Sequence, residues 1–122
     1  MLNRPKIEFG TELFGNAFES FIFQELMAHR HYSGKEYQIS YWRTASQLEV
    51  DFILGRHEVA IEVKSSNKIS SKHLGGIRAF QTEYNVKRSI IVCTENLPRI
   101  LDEIEILPWE LFLERLWRNE LI

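Results

Sequence analysis

The sequence predicts an α/β fold built on a partly parallel sheet, and three observations carry that prediction. First, residues 48–64, LEVDFILGRHEVAIEVK, alternate apolar and polar side chains on either side of a short polar stretch, as two strands and a turn do. Second, apolar residues recur at helical spacing across residues 12–29. Third, the strand ending at Lys64 is followed by a helical stretch and then by SIIVC, a short continuous apolar run of the buried kind. Strand, helix and strand at this spacing imply a crossover connection and parallel neighbours.

Composition bounds the possibilities. A chain of 122 residues with 44% hydrophobic content is expected to be one soluble domain spanning 1–122, with its core at about 11–94 and a last helix at about 108–119. With 15 basic and 17 acidic side chains the formal charge is -2, so a nucleic-acid partner would have to be held by a local basic patch. The single cysteine, Cys93, excludes an internal disulfide and reads as a small buried hydrophobe. No stretch reaches the length of about 20 apolar residues that a membrane span needs, and the start MLNRPKIEFG has no apolar core of a secretory leader. A cytoplasmic protein without a membrane partner is the expectation.

The elements follow in order. Residues 1–10 read as an irregular lead-in. Thr11 is a candidate N-cap for a helix from Glu12 to His29, whose apolar face holds Leu13, Phe14, Ala17, Phe18, Phe21, Ile22 and Leu26, widened by Phe23. His29 and His31 read as surface residues near the helix carbonyl end. Residues 37–43 alternate as a strand. After Lys64, Ser70 or Ser71 is a candidate N-cap for a helix running to Tyr84, with Gly75 and Gly76 suited to a close backbone approach. Residues 95–102 read as a connection and Ile104–Leu107 as a short edge strand. Pro108 begins an apolar helix that either covers the sheet or forms an interface.

The chemistry concentrates on the hairpin. With the turn at residues 55–58, Asp51 lies opposite Glu62 and Glu49 opposite Lys64, with Val50, Phe52, Leu54, Val59, Ile61 and Val63 together on the other face. That is either an ordinary wet strand face or a candidate metal site on rigid strands. Glu19 emerges beside the apolar stripe of the first helix; it is a boundary residue reaching water or a paired or metal-bound carboxylate, and Glu25 competes for that role. Lys64, Lys68, Lys72, His73 and Arg78 form the notable basic concentration, where phosphate contacts by Lys68, Lys72 and Arg78 would fall.

Taken together, a helix with Glu19, a strand, a hairpin with Asp51 and Glu62-Val63-Lys64, a helix and a strand resemble the PD-(D/E)xK nuclease superfamily. The run from GNAFESFIFQEL through YWRTASQLEVDFIL and AIEVKSS to HLGGIRAFQTEY, roughly residues 10–118, is similar to the DUF4143 domains at the C-terminus of prokaryotic AAA-type ATPases. The resemblance implies a restriction-endonuclease-like αβββαβ core with a mixed sheet flanked by helices. It also implies catalytic roles for Glu19, Asp51, Glu62 and Lys64, with Mg²⁺ or Mn²⁺ held by Asp51, Glu62, the Val63 carbonyl and Glu19. Lys64 would orient a water or steady developing charge. Val50 stands where the superfamily has proline, Gln81 to Tyr84 does not reproduce the Gln-x-x-x-Tyr spacing of one branch, and no GxxxxGK[ST] loop is present.

Besides a plain structural domain whose aligned charges pair with one another, Glu49 with Lys64 among them, two functions compete on this reading. One is a metal-dependent nuclease, acting on DNA rather than RNA. The other is a nuclease-fold interaction or regulatory module of an AAA-type ATPase without catalysis of its own. The implied partners are nucleic acid, an ATPase domain or partner protein, and a second copy in a homodimer.

Overall fold

A computed structural model describes residues 11–122; the lead-in expected over residues 1–10 lies outside them. The element order is α1 (Glu12–Ser33), β1 (Ile39–Arg43), β2 (Glu49–Leu54), β3 (Val59–Val63), α2 (Gly75–Glu83), β4 (Arg88–Cys93), β5 (Arg99–Leu101), β6 (Ile104–Pro108) and α3 (Trp109–Trp117). The strands form one six-stranded sheet in the order β1-β2-β3-β4-β6-β5. β1, β2 and β3 meander antiparallel, β3, β4 and β6 run parallel, and β5 returns antiparallel to β6. The expected α-β-β-β-α-β order, the mixed sheet and the C-terminal helix are all present.

Local chemistry sets the boundaries. Thr11 caps α1, its Oγ1 accepting the Phe14 amide at 3.1 Å. The helix runs on past His29 and stops at Gly34, which takes the left-handed conformation at φ 70°. It continues because His29 is not a surface residue: it is 1% exposed and extends the buried stripe of Phe18, Ile22 and Leu26. Its Nδ1 lies 2.8 Å from the Tyr37 hydroxyl and its Nε2 2.7 Å from Asn119 Oδ1, while Tyr37 donates to the Leu26 carbonyl. Burial pushes the Tyr37 phenol up to about 12.

Helices cover both faces of the sheet. On one face α1 and α3 pack Phe18, Ile22, Leu26, Phe112 and Leu116 on Phe52, Leu54, Val59, Ile61 and Val63. On the other, Leu74, Ile77 and Phe80 in and just before α2 pack on Val50, Ile53, Ala60, Ile91 and Ile106. The expected separation of the hairpin into an apolar and a polar face is therefore corrected: β3 is buried at every position, and Val50 lies on the opposite face from Phe52. The wide apolar face expected for α1 narrows as well, since Leu13, Ala17, Phe21 and Phe23 remain exposed.

Two more boundaries depart from the sequence reading. The residues following Ser70 form a 3₁₀ turn, Ser71–His73, before α2 begins at Gly75. Gly76 then faces the Glu49 carbonyl so closely that a Cβ there would sit 1.9 Å from the oxygen, so the close approach expected of the paired glycines belongs to this one. Ile104–Pro108 is not an edge strand but lies between β4 and β5, and Arg99–Leu101, expected as a connection, forms the edge. Pro108 closes β6 and caps α3 rather than sitting inside it. Cys93 is fully buried, as expected, and burial pushes its thiol up to about 11.

Candidate functional site

The hairpin register pairs Phe52 with Ile61, Ile53 with Ala60 and Leu54 with Val59. One further step would set Asp51 against Glu62, the expected juxtaposition. On its other side β2 breaks step with β1: Ser40 pairs with Ile53 but Trp42 pairs with Val50, so Asp51 and Phe52 together oppose Tyr41. This extra residue is a β-bulge, and it re-aims Asp51. It also explains why Val50 and Phe52 point to opposite cores. The Asp51 Oδ2 accepts the Val63 backbone amide at 2.8 Å, taking the place of a main-chain acceptor from the neighbouring strand.

Asp51 joins two other acids. Glu19, one helical turn past Gly15 on α1, and Glu62 on β3 each bring a carboxyl against that of Asp51. Glu62 is 4% exposed. Burial pushes its carboxyl up to about 9; the hydrogen bond and negative charge of Asp51 add to the rise, while Lys64 and the Asp51 amide oppose it. Glu19 is raised in the same direction, by burial first and then by the charges of Asp51 and Glu49, with Lys64 opposing. The Lys64 ammonium stands 3.9 Å from Glu62 Oε2 and is half-exposed.

The structure thus brings Glu19, Asp51, Glu62 and Lys64 together. Glu25 is elsewhere, accepting the Trp117 indole N–H at 3.3 Å. The expected pairing of Glu49 with Lys64 is replaced by an ion pair between Glu49 and Arg43 at 3.0 Å, because β2 and β1 stay in register at that end. Lys68 and Lys72 are exposed. The Lys72 and Lys64 charges add to burial in pushing His73 below the usual histidine range, so these cations share one neighbourhood. Arg78 is turned away to an ion pair with Asp102 between β5 and β6.

A cleft of about 700 Å³ opens between α1 and the β1-β2 pair, lined by Asn16, Glu19, Phe23, Tyr41, Trp42 and Asp51 among others. Phe23 stacks on Phe52 at 5.7 Å along its α1 side. Asn16, Ser20, Tyr41 and Trp42 escape the sequence reading, which has no signal that β1 and α1 enclose a space.

Among the described residues, no three His, Cys, Asp or Glu side chains are grouped so as to hold a metal ion. Asp51 accepts the Val63 amide and lies against the carboxyls of Glu19 and Glu62.

The sequence model of DUF4143, a domain of unknown function, matches residues 14–112. The chain belongs to the DUF4143 family. No curated protein and no solved structure matches it. The match to the DUF4143 domain takes in Glu19, the hairpin with Asp51, Glu62 and Lys64, and the first residues of α3. Among the described residues no helix of this DUF4143 chain is long and apolar enough to cross a membrane.

Proposed function

We propose that this DUF4143 chain is an interaction or regulatory module of nuclease-like α/β architecture that works in the cytoplasm with an AAA-type ATPase and does not cleave nucleic acid by itself. The observation that carries this reading is that, among the described residues, no three His, Cys, Asp or Glu side chains are grouped as a metal centre. The contacts of Glu19 and Glu62 with Asp51 tie α1 to β2 and β3, a use for these residues that needs no catalysis. The ATPase partner rests on the sequence resemblance.

A second reading is favoured by one observation. Glu19, Asp51, Glu62 and Lys64 meet at one end of the hairpin with Lys72 and His73 nearby, the composition a Mg²⁺- or Mn²⁺-dependent DNA nuclease uses. In that case Asp51 and Glu62 would hold the ion, Lys64 would neutralise phosphoryl charge, and exposed Lys68 and Lys72 would hold backbone phosphates.

The deciding experiment incubates the protein with supercoiled plasmid, single-stranded DNA and RNA in Mg²⁺ or Mn²⁺, beside an Asp51→Asn/Glu62→Gln double variant of unchanged fold. Cleavage no greater than the variant's supports the module reading. Cleavage that the double variant abolishes overturns it in favour of the nuclease. ATP hydrolysis by the AAA-type ATPase that carries or accompanies the module, measured with and without it, tests the regulatory part.

A further inference from the structure

The two edges of the sheet differ. β5 is a three-residue strand, short enough to be blunted as a template for further pairing. β1, by contrast, is five residues, ISYWR, with no proline and no lysine, and the bulge that would twist an edge away lies in its partner β2. Its one charge, Arg43, is engaged by Glu49. Among the described residues, no strand lies beyond it.

The direction of each β1 main-chain group follows from its bonds to β2. The Gly55 amide donates to the Gln38 carbonyl at 2.8 Å and the Thr44 amide to the Leu48 carbonyl at 2.9 Å. Even-numbered residues therefore turn their N–H and C=O toward β2, and Ile39, Tyr41 and Arg43 turn theirs outward. This outward set is symmetric about Tyr41. A second β1 laid antiparallel against the first pairs Tyr41 with Tyr41, Ile39 with Arg43 and Arg43 with Ile39, each exchanging two main-chain bonds, about six in all.

The side chains suit that register. Tyr41 is 76% exposed and would meet its own copy across the axis. On the other face bulky Trp42, packed on Phe80 at 5.2 Å, would lie opposite small Ser40. Each Arg43 opposes an isoleucine, so no like charges face each other.

We propose that β1 is a homodimer interface, joining two copies into one continuous sheet about a two-fold axis at Tyr41. Because Ile39–Arg43 also line the 700 Å³ cleft, the partner's strand extends that wall, and the clefts holding Glu19 and Asp51 stand side by side across the axis. The interface does not depend on which function the cleft serves.

Sedimentation equilibrium of the whole chain from about 1 to about 200 µM, alongside Tyr41→Pro and Tyr41→Lys, tests it. The Tyr41 amide points outward, so proline removes a bond to the second copy and none to β2. Lysine leaves φ free and sets like charges against each other at the axis, which separates loss of pairing from loss of fold. The parent is expected to rise with concentration toward twice 14.5 kDa, and both variants, with unchanged circular dichroism, to weaken dimerisation at least tenfold. A parent that stays at the monomer mass, or a dimer that Tyr41→Lys leaves intact, overturns the proposal.

Discussion

Replacing Glu62 by glutamine should flatten the pH dependence of stability. In the folded chain burial and Asp51 hold this carboxyl up to about 9, against an ordinary 4.5. Between those values the folded state keeps a proton that the unfolded chain has released. Unfolding thus sheds a proton, and stability falls as pH rises, by at most about 1.4 kcal/mol per pH unit. The favourable contribution is complete below about 4.5 and exhausted above about 9. From pH 5 to pH 7 the loss is about 2–3 kcal/mol, or roughly 10 °C in melting temperature for a chain of this size. Glu62→Gln keeps the shape and offers Asp51 an N–H in place of the acid's O–H, but cannot ionise. Urea unfolding of parent and variant at pH 5, 6, 7 and 8 should give curves that diverge with pH, the variant gaining on the parent. Parallel dependence in the two proteins would refute the assignment of a proton to Glu62.

Other outcomes follow from the packing. Gly76→Ala drives a methyl group into the Glu49 carbonyl and should cost about 3 kcal/mol or more, whereas Gly75→Ala meets only Leu48 Cδ2 at 3.4 Å and should be within about 1 kcal/mol of neutral; thermal melts separate them. His29→Ala opens a cavity and removes a hydrogen-bond partner from both Tyr37 and Asn119, and denaturant unfolding should show a loss of about 2–4 kcal/mol. Asp51→Ala leaves the Val63 amide without its acceptor and should lose about 1–3 kcal/mol, with Asp51→Asn nearer the parent because it keeps an oxygen there.

What the sequence made legible was local or periodic. Thr11 announces α1 because a cap needs only the amide three residues on. The turn at 55–58 and the β3-α2-β4 crossover follow from spacing, and they bring Asp51 beside Glu62 as expected. The bulge was illegible because Val50 and Phe52 alternate as in any regular strand; only the register with β1 reveals that they part company. His29 was misplaced because its partners, Tyr37 and Asn119, come 8 and 90 residues later, so nothing nearby shows that its polarity is satisfied. Arg78 read as part of a basic patch because Asp102, its partner, is 24 residues away. The strand at Arg99–Leu101 was hidden by Pro98, which precedes it without entering its ladder.

The decisive property of the hairpin is the protonation of Glu62 beside Asp51. It is tested most directly by ¹³C NMR titration of the Glu62 side-chain carboxyl, assigned through Glu62→Gln, with and without millimolar Mg²⁺. A midpoint well above the usual glutamate range that Mg²⁺ does not move is expected. A midpoint in the usual glutamate range, or one that collapses toward it when Mg²⁺ is added, would contradict the account and restore the metal site.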